Sequence, residues 1–350
     1  PRFDLDPTAD SIIAARPIQA AIQDASSSTG QSVAKIEGQV KSEFKAMRAK
    51  QTMSTIRLFA YVFPKIYRKI YDEILVDTRG VEKVREAVVK GPVIFLPTHR
   101  SYIDFLIISY ITFANKLPAP HICAAEVFLK MGPITTLFRG AGAFFIKRTG
   151  APGTSREAIA DKNAKDTTYR ALLETYVASI VRSAPMLEFF LEGTRSRSGK
   201  TQPPKYGMLG MVTQTVLQRQ IPDAYIVPVT INYEKVLEID KIVHELKGNP
   251  KKLESFGGAV TGGLKSLQQN FGSVKVCFGE PVSLQQSIAD MKAKQADDSF
   301  DPSSVEDDRK ALDRHVALDV VRRLHEEMEI SPTAMVSTLL LESPSGLSWG

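Results

Sequence analysis

The stretch that decides the fold is "PVIFLPTHRSYIDFLIISYITFA", residues 92–114. Its first part, PVIFLP (92–97), is a short apolar run bounded by prolines, the signature of a buried strand. A polar turn follows, and from about 101 to 114 the apolar residues run on to helical length. Outward from this unit the same texture repeats. HICAAE (121–126), GAFFIKR (142–148), MLEFFLE (186–192), YIVPVTINY (225–233) and VKVCFGEPV (274–282) read as strands, with helices over about 127–138, 167–182 and 206–219. Strands that alternate with helices predict an α/β domain, here over 90–330, with a largely parallel or mixed sheet flanked by helices. In such sheets the site is expected in the loops at the strand ends.

The flanks differ from this core. Residues 1–33 are thin in large apolar side chains and contain "DASSSTGQS", which predicts a flexible N-terminal segment. Residues 34–89 read as an N-terminal helical region. Ile56, Phe59, Phe63, Ile66, Ile70 and Ile74 recur on one helical face, with Arg57, Lys65, Arg68 and Lys69 between them, and Pro64 predicts a kink or restart. That segment is either a helix packed on the domain or a basic amphipathic helix on a membrane surface, with Phe59 and Phe63 as its apolar contacts; the apolar 103–114 region is a second surface of this kind. Downstream come a polar loop over 293–310, a last helix over 306–329 and a C-terminal extension, 331–350, cut short. The first residue is Pro1 and the last five are GLSWG, which is not a peroxisomal tripeptide; targeting signals are expected outside this sequence.

Composition excludes several classes. Of the 350 residues, 43% are hydrophobic and 24% charged, which is globular and sufficient for a large core. A net charge of +6 is too weak to argue for nucleic acid but suits anionic substrates or an anionic surface. Cys123 and Cys277 are far apart, so neither a zinc motif nor a disulfide framework is present, and no metal cluster is visible. No apolar run reaches the roughly 18 residues a membrane-spanning helix requires.

Three motifs carry chemistry. His99 and Asp104, five apart, can meet only if His99 lies in the turn and Asp104 begins the helix. An aspartate on one imidazole nitrogen leaves the other as a general base, and a substrate hydroxyl can then be the nucleophile. A helix-capping Asp beside an unrelated His is the plain alternative. In GAFFIKR, the strand ends on Lys147 and Arg148, with Arg139 upstream; an edge-strand basic pair is the alternative there. In "EGTRSRSGKT" (192–201), the ending resembles a nucleotide-binding P-loop, but Gly193 and Gly199 enclose five residues where that motif allows four. What remains is a Gly-flanked turn with Arg195, Arg197 and Lys200, suited to a small phosphate or carboxylate, or simply a solvated basic loop.

The ordered blocks "HRSYID" (99–104), "GAFFIKR" (142–148), "EGTRSRSGK" (192–200) and "IVPVTINYEKV" (226–236) resemble those of the glycerolipid acyltransferases that acylate glycerol 3-phosphate or dihydroxyacetone phosphate. The resemblance covers about 55–285. Lys147 stands where that family usually has Arg. Flanks such as "FPKIYRKIY" (63–71) and "NFGSVKVCFGEPVSL" (270–284) look most like the branch that uses dihydroxyacetone phosphate. The resemblance implies that His99, oriented by Asp104, deprotonates an acceptor hydroxyl, which attacks the thioester of acyl-CoA without a covalent intermediate. The acceptor's phosphate would sit among Arg148, Arg195 and Arg197, with Lys147, Lys200 and Arg139 as outer partners. Glu192, Gly193, Ser196 and Pro228 would shape the site. No cofactor is implied beyond acyl-CoA as co-substrate. A peripheral, peroxisomal setting for ether-lipid synthesis follows from the same branch, with the next enzyme of that synthesis as a partner; a mitochondrial or endoplasmic-reticulum membrane is the alternative. A glycerol-3-phosphate acyltransferase has the same blocks. A non-catalytic scaffold is the rival of another class, and the intact His99, Asp104 and arginines count against it.

Overall fold

The computed structural model describes residues 7–147, 156–196, 199–248, 269–294, 300–343 and 346. An eight-stranded mixed sheet forms the middle layer. Its strands are β1 (Glu73–Val76), β2 (Val93–Pro97), β3 (His121–Ala125), β4 (Ala143–Ile146), β5 (Met186–Glu188), β6 (Tyr225–Tyr233), β7 (Ser273–Phe278) and β8 (Val282–Ser283). The order is β1-β7-β6-β2-β5-β3-β4, with β8 against β6. Pairings are parallel except those of β6 with β7 and β8. The strand expected over 274–282 is thus two strands, and β1 joins the sheet although the sequence pattern gave no sign of it.

The all-apolar β2 lies at the centre, buried on both faces. Its alternate residues feed two cores. Ile94 and Leu96 face the helices α2 (Arg16–Thr29), α3 (Val33–Met47), α8 (Arg156–Ser183), α9 (Gly207–Leu217) and α12 (Glu306–Glu326). Val93 and Phe95 face α4 (Met53–Ile70), α5 (Thr78–Lys90) and α6 (Asp104–Ala114). The remaining helices among the described residues are the short α1 (Ala9–Ile13), α7 (Pro133–Gly140) after a 3-10 turn, α10 (Ile239–Leu246), α11 (Leu284–Lys294) and α13 (Pro332–Glu342).

Three expectations are corrected. The N-terminal segment to residue 33 is not a flexible stretch where it is described: α2 buries Ile18, Ala21, Ile22 and Ala25 and packs along α8. Small side chains there allow close helix contact, and a run rich in Ala and Ser looked like a linker for the same reason. The separate helical region expected over 34–89 includes β1, whose register with β7 ties it into the main sheet. Helix α4 continues through Pro64, and Phe63 is 8% exposed within the core, so it is no surface contact. Helix α6 likewise buries Ile107, Ile108 and Ile111.

Candidate active site

Strand β2 delivers its C-terminal turn to the centre of the sheet's carboxyl edge. Thr98 is stitched to β6: its N–H donates to the Val229 carbonyl (2.9 Å), and its hydroxyl accepts from Ile231 N (3.0 Å). The next residue, His99, is in the turn, and Asp104 is the first residue of α6, as their spacing requires. His99 Nδ1 is 3.0 Å from Asp104 Oδ2. The same oxygen accepts from the backbone N–H groups of Arg100 (2.8 Å) and Ser101 (2.9 Å), and Oδ1 accepts from the Tyr233 hydroxyl (2.7 Å). Asp104 is fully buried. A buried carboxylate is tolerated when donors surround it, and all four partners here act as donors. Nδ1 therefore carries the proton and Nε2 keeps its lone pair. The imidazole stacks on Phe190 at 4.0 Å between centroids, which fixes the ring plane while its side chain remains 19% exposed.

The "EGTRSRSGKT" loop is clamped to this turn. Glu192, 3% exposed, accepts from His99 N (3.0 Å) through Oε1 and from Gln202 N (2.9 Å) through Oε2. Glu192 therefore joins two backbone segments. Ser196 N donates to the His99 carbonyl (3.1 Å), and the Ser196 hydroxyl donates to the Lys200 carbonyl. Gly193 has φ +63° and lies against the Lys205 side chain, so an L side chain would be strained and crowded there. Arg195 sits with its guanidinium carbon 3.3 Å from the centroid of the Tyr102 ring, and Nη1 lies 3.6 Å from Glu238 Oε1. Glu238 also accepts from Ser101 Oγ (2.9 Å) and Tyr102 N (2.7 Å). Burial raises its carboxyl above the usual range, and the Tyr102 N–H and Arg195 pull it back.

The other expected cations divide. Arg148 and Arg197 lie outside the described residues, and Lys200 is exposed. Lys147, at the end of β4, forms an ion pair with Glu43 (2.6 Å) and lies over Tyr169. Arg139 is engaged with the end of a helix. Its guanidinium caps α3, donating to the carbonyls of Lys45 (3.3 Å), Ala46 (2.8 Å) and Arg48. Pro228 is structural. It sits where β6 changes partner from β8 to β7, and its carbonyl accepts from Gly279 N (2.9 Å), so the missing N–H breaks no ladder there.

Three residues that the sequence did not single out complete the site: Tyr233, Glu238 and Glu188. Glu188 ends β5 in register with Phe95 of β2, fully buried, and neither carboxyl oxygen has a hydrogen-bond partner among the described residues. Burial first, and the charge of Asp104 second, push its carboxyl well above the usual carboxylate range. Four buried carboxyls thus share the site: Asp104, Glu192 and Glu238 accept hydrogen bonds from neighbouring donors, and Glu188 has none among the described residues. Among the described residues no group of His, Cys, Asp and Glu could hold a metal ion.

The acyltransferase family model matches residues 75–232, and the model of the glycerol-3-phosphate acyltransferase C-terminal region matches 243–348. Dihydroxyacetone phosphate acyltransferase of Homo sapiens is 36% identical over 341 residues, 96% of this chain and 48% of that protein. The mitochondrial glycerol-3-phosphate acyltransferase 1 of Sus scrofa is 35% identical over 263 residues, 75% of this chain and 31% of that protein. The chain thus spans about half the length, or less, of the curated relatives it matches. The solved 1-acyl-sn-glycerophosphate acyltransferase of Thermotoga maritima is 15% identical, with a TM-score of 0.40 over 90% of this chain and 97% of that one. The two family-model matches, with the His99–Asp104 turn inside the first, and the 36% identity over 96% of this chain mean that the chain belongs to the acyltransferase family.

Proposed function

We propose that the chain transfers a long-chain fatty acyl group from acyl-CoA to the hydroxyl of dihydroxyacetone phosphate, the first step of ether-lipid synthesis. The observation that carries the reading is the His99–Asp104 pair, 3.0 Å apart, in an imidazole stacked on Phe190 and held through Nδ1. His99 Nε2 takes the acceptor's hydroxyl proton as the oxygen attacks the thioester carbonyl. The tetrahedral intermediate then collapses with breakage of the C–S bond. Coenzyme A leaves as thiolate, and the proton on His99 returns to that sulfur. Asp104 holds the imidazole orientation and stabilises the transient imidazolium, so no covalent acyl-enzyme is needed.

Arg195, with Arg148 and Arg197, binds the acceptor's phosphate, which turns a bimolecular attack into an oriented one. A small apolar recess between α4 and α6 has Phe59, Tyr110 and Phe113 in its walls. Leu58 and Tyr61 are exposed on α4 beside Arg57 and Lys65, a surface compatible with peripheral attachment to a lipid layer. No helix among the described residues is long and apolar enough to cross a membrane. A peroxisomal setting and a partner in the next ether-lipid enzyme go with the dihydroxyacetone phosphate reading.

The second reading is 1-O-acylation of glycerol 3-phosphate, favoured by the matched C-terminal region and by the relative from Sus scrofa. A radiolabelled transfer assay with palmitoyl-CoA, offering each acceptor separately, decides between them. Preference for the ketone supports the first reading, and preference for the alcohol supports the second. Transfer to neither, in the presence of lipid, would make the chain a non-catalytic scaffold.

A further inference from the structure

Arg100 stands next to the base in sequence, yet its side chain has no role in holding that base. Its backbone N–H is committed to Asp104. Its guanidinium is half-buried and has no acidic partner among the described residues. Among the described residues, Nη1 is buried with no hydrogen-bond partner, and Nη2 reaches Thr201 Oγ1 at 3.5 Å. Thr201 belongs to the same loop as Arg195, and its hydroxyl is also 2.9 Å from His325 Nε2 on α12. Arg139, by contrast, has three carbonyl acceptors, and Arg195 has Glu238 and a tyrosine face. A buried guanidinium N–H without an acceptor is destabilising and calls for an explanation. A ligand with two oxygen acceptors in a plane would remove the deficit, because the guanidinium fork matches phosphate in a bidentate manner.

We propose that Arg100 is a further phosphate ligand of this site, with Thr201, backed by His325, holding its fork. The inference rests on the acyl-transfer reading only in choosing whose phosphate is bound. The acceptor and coenzyme A both carry phosphate. Arg100 adjoins His99, and neighbouring Cα atoms are about 3.8 Å apart. A three-carbon acceptor whose hydroxyl is at His99 has its phosphate within reach of such a neighbour, so the acceptor's phosphate is assigned.

The test is calorimetric titration of the protein and of Arg100→Met and Arg100→Lys with inorganic phosphate, followed by kinetics in which each substrate is varied. Loss of one charge-assisted contact predicts a fall in phosphate affinity on the order of tenfold or more in Arg100→Met, and a smaller fall in Arg100→Lys. The KM for dihydroxyacetone phosphate should rise in parallel, with the KM for palmitoyl-CoA unchanged. Unchanged phosphate affinity in Arg100→Met overturns the proposal. A rise confined to the KM for palmitoyl-CoA overturns the assignment to the acceptor. If Arg100→Met fails to fold, Thr201→Val leaves the arginine in place and should weaken phosphate binding a few-fold; no change there also overturns the proposal. Phosphate binding that depends on Arg100 in a protein that acylates neither acceptor would leave the ligand standing and remove only the proposed reaction.

Discussion

Two groups of cations, one at the β4 edge and one at the centre of the sheet, are treated differently by the protein. At the β4 edge, Arg139 closes the end of α3 and Lys147 is paired with Glu43. At the centre, Arg195 lies over the Tyr102 ring with one long contact to Glu238, and Arg100 has a desolvated nitrogen with no acceptor among the described residues. Sequence shows basic residues in both places. The difference lies in the remaining donors: an arginine whose N–H groups already meet carbonyls has little left for a ligand, whereas one oriented by an aromatic face keeps its fork available.

The comparison can be broken in order of expected effect. His99→Ala should lower kcat roughly 10²- to 10⁴-fold, the range for a positioned general base, with the thermal melting curve unchanged; near-normal turnover would remove the chemistry from the central region. Arg195→Ala should raise the KM for the phosphorylated acceptor on the order of tenfold or more and leave that for acyl-CoA alone. Equal effects on both would show that the central arginine is not selective for the acceptor. Arg139→Ala should act in the opposite way, lowering stability by about 2 kcal/mol in denaturant titration through the lost charge-assisted bonds, with KM values retained. Lys147→Ala is the mildest. Its ion pair is partly exposed and contributes less than ~1 kcal/mol. A clear rise in the acceptor's KM for this variant would move Lys147 from the structural group to the central one.

The central strands were legible because their apolar runs are uninterrupted, and the His99–Asp104 contact followed from a spacing that works only across a turn. Strand β1 was hidden because EILV is short and follows a helical pattern with matching spacing. Helix α2 was hidden by its Ala and Ser content, although Ile18, Ala21, Ile22 and Ala25 carried the helical period that would have revealed it. Tyr233 and Glu238 reach the turn from more than a hundred residues away, and no local pattern marks a polar residue as the partner of so distant a segment. Glu188 gave one signal, an acidic residue inside an apolar run, and that is the kind of conflict between pattern and chemistry that a functional site produces.

Glu192 has a consequence for substrate size. One buried carboxylate spans the His99 turn and the arginine loop, and the Ser196–His99 backbone bond doubles the link. The separation between base and loop is therefore fixed by a buried carboxylate and by a main-chain bond. On the proposed reaction this makes the site a gauge: it measures the interval between an acceptor's hydroxyl and its phosphate, and an acceptor lengthened by one carbon presents its oxygen beyond the imidazole even when its phosphate is correctly held.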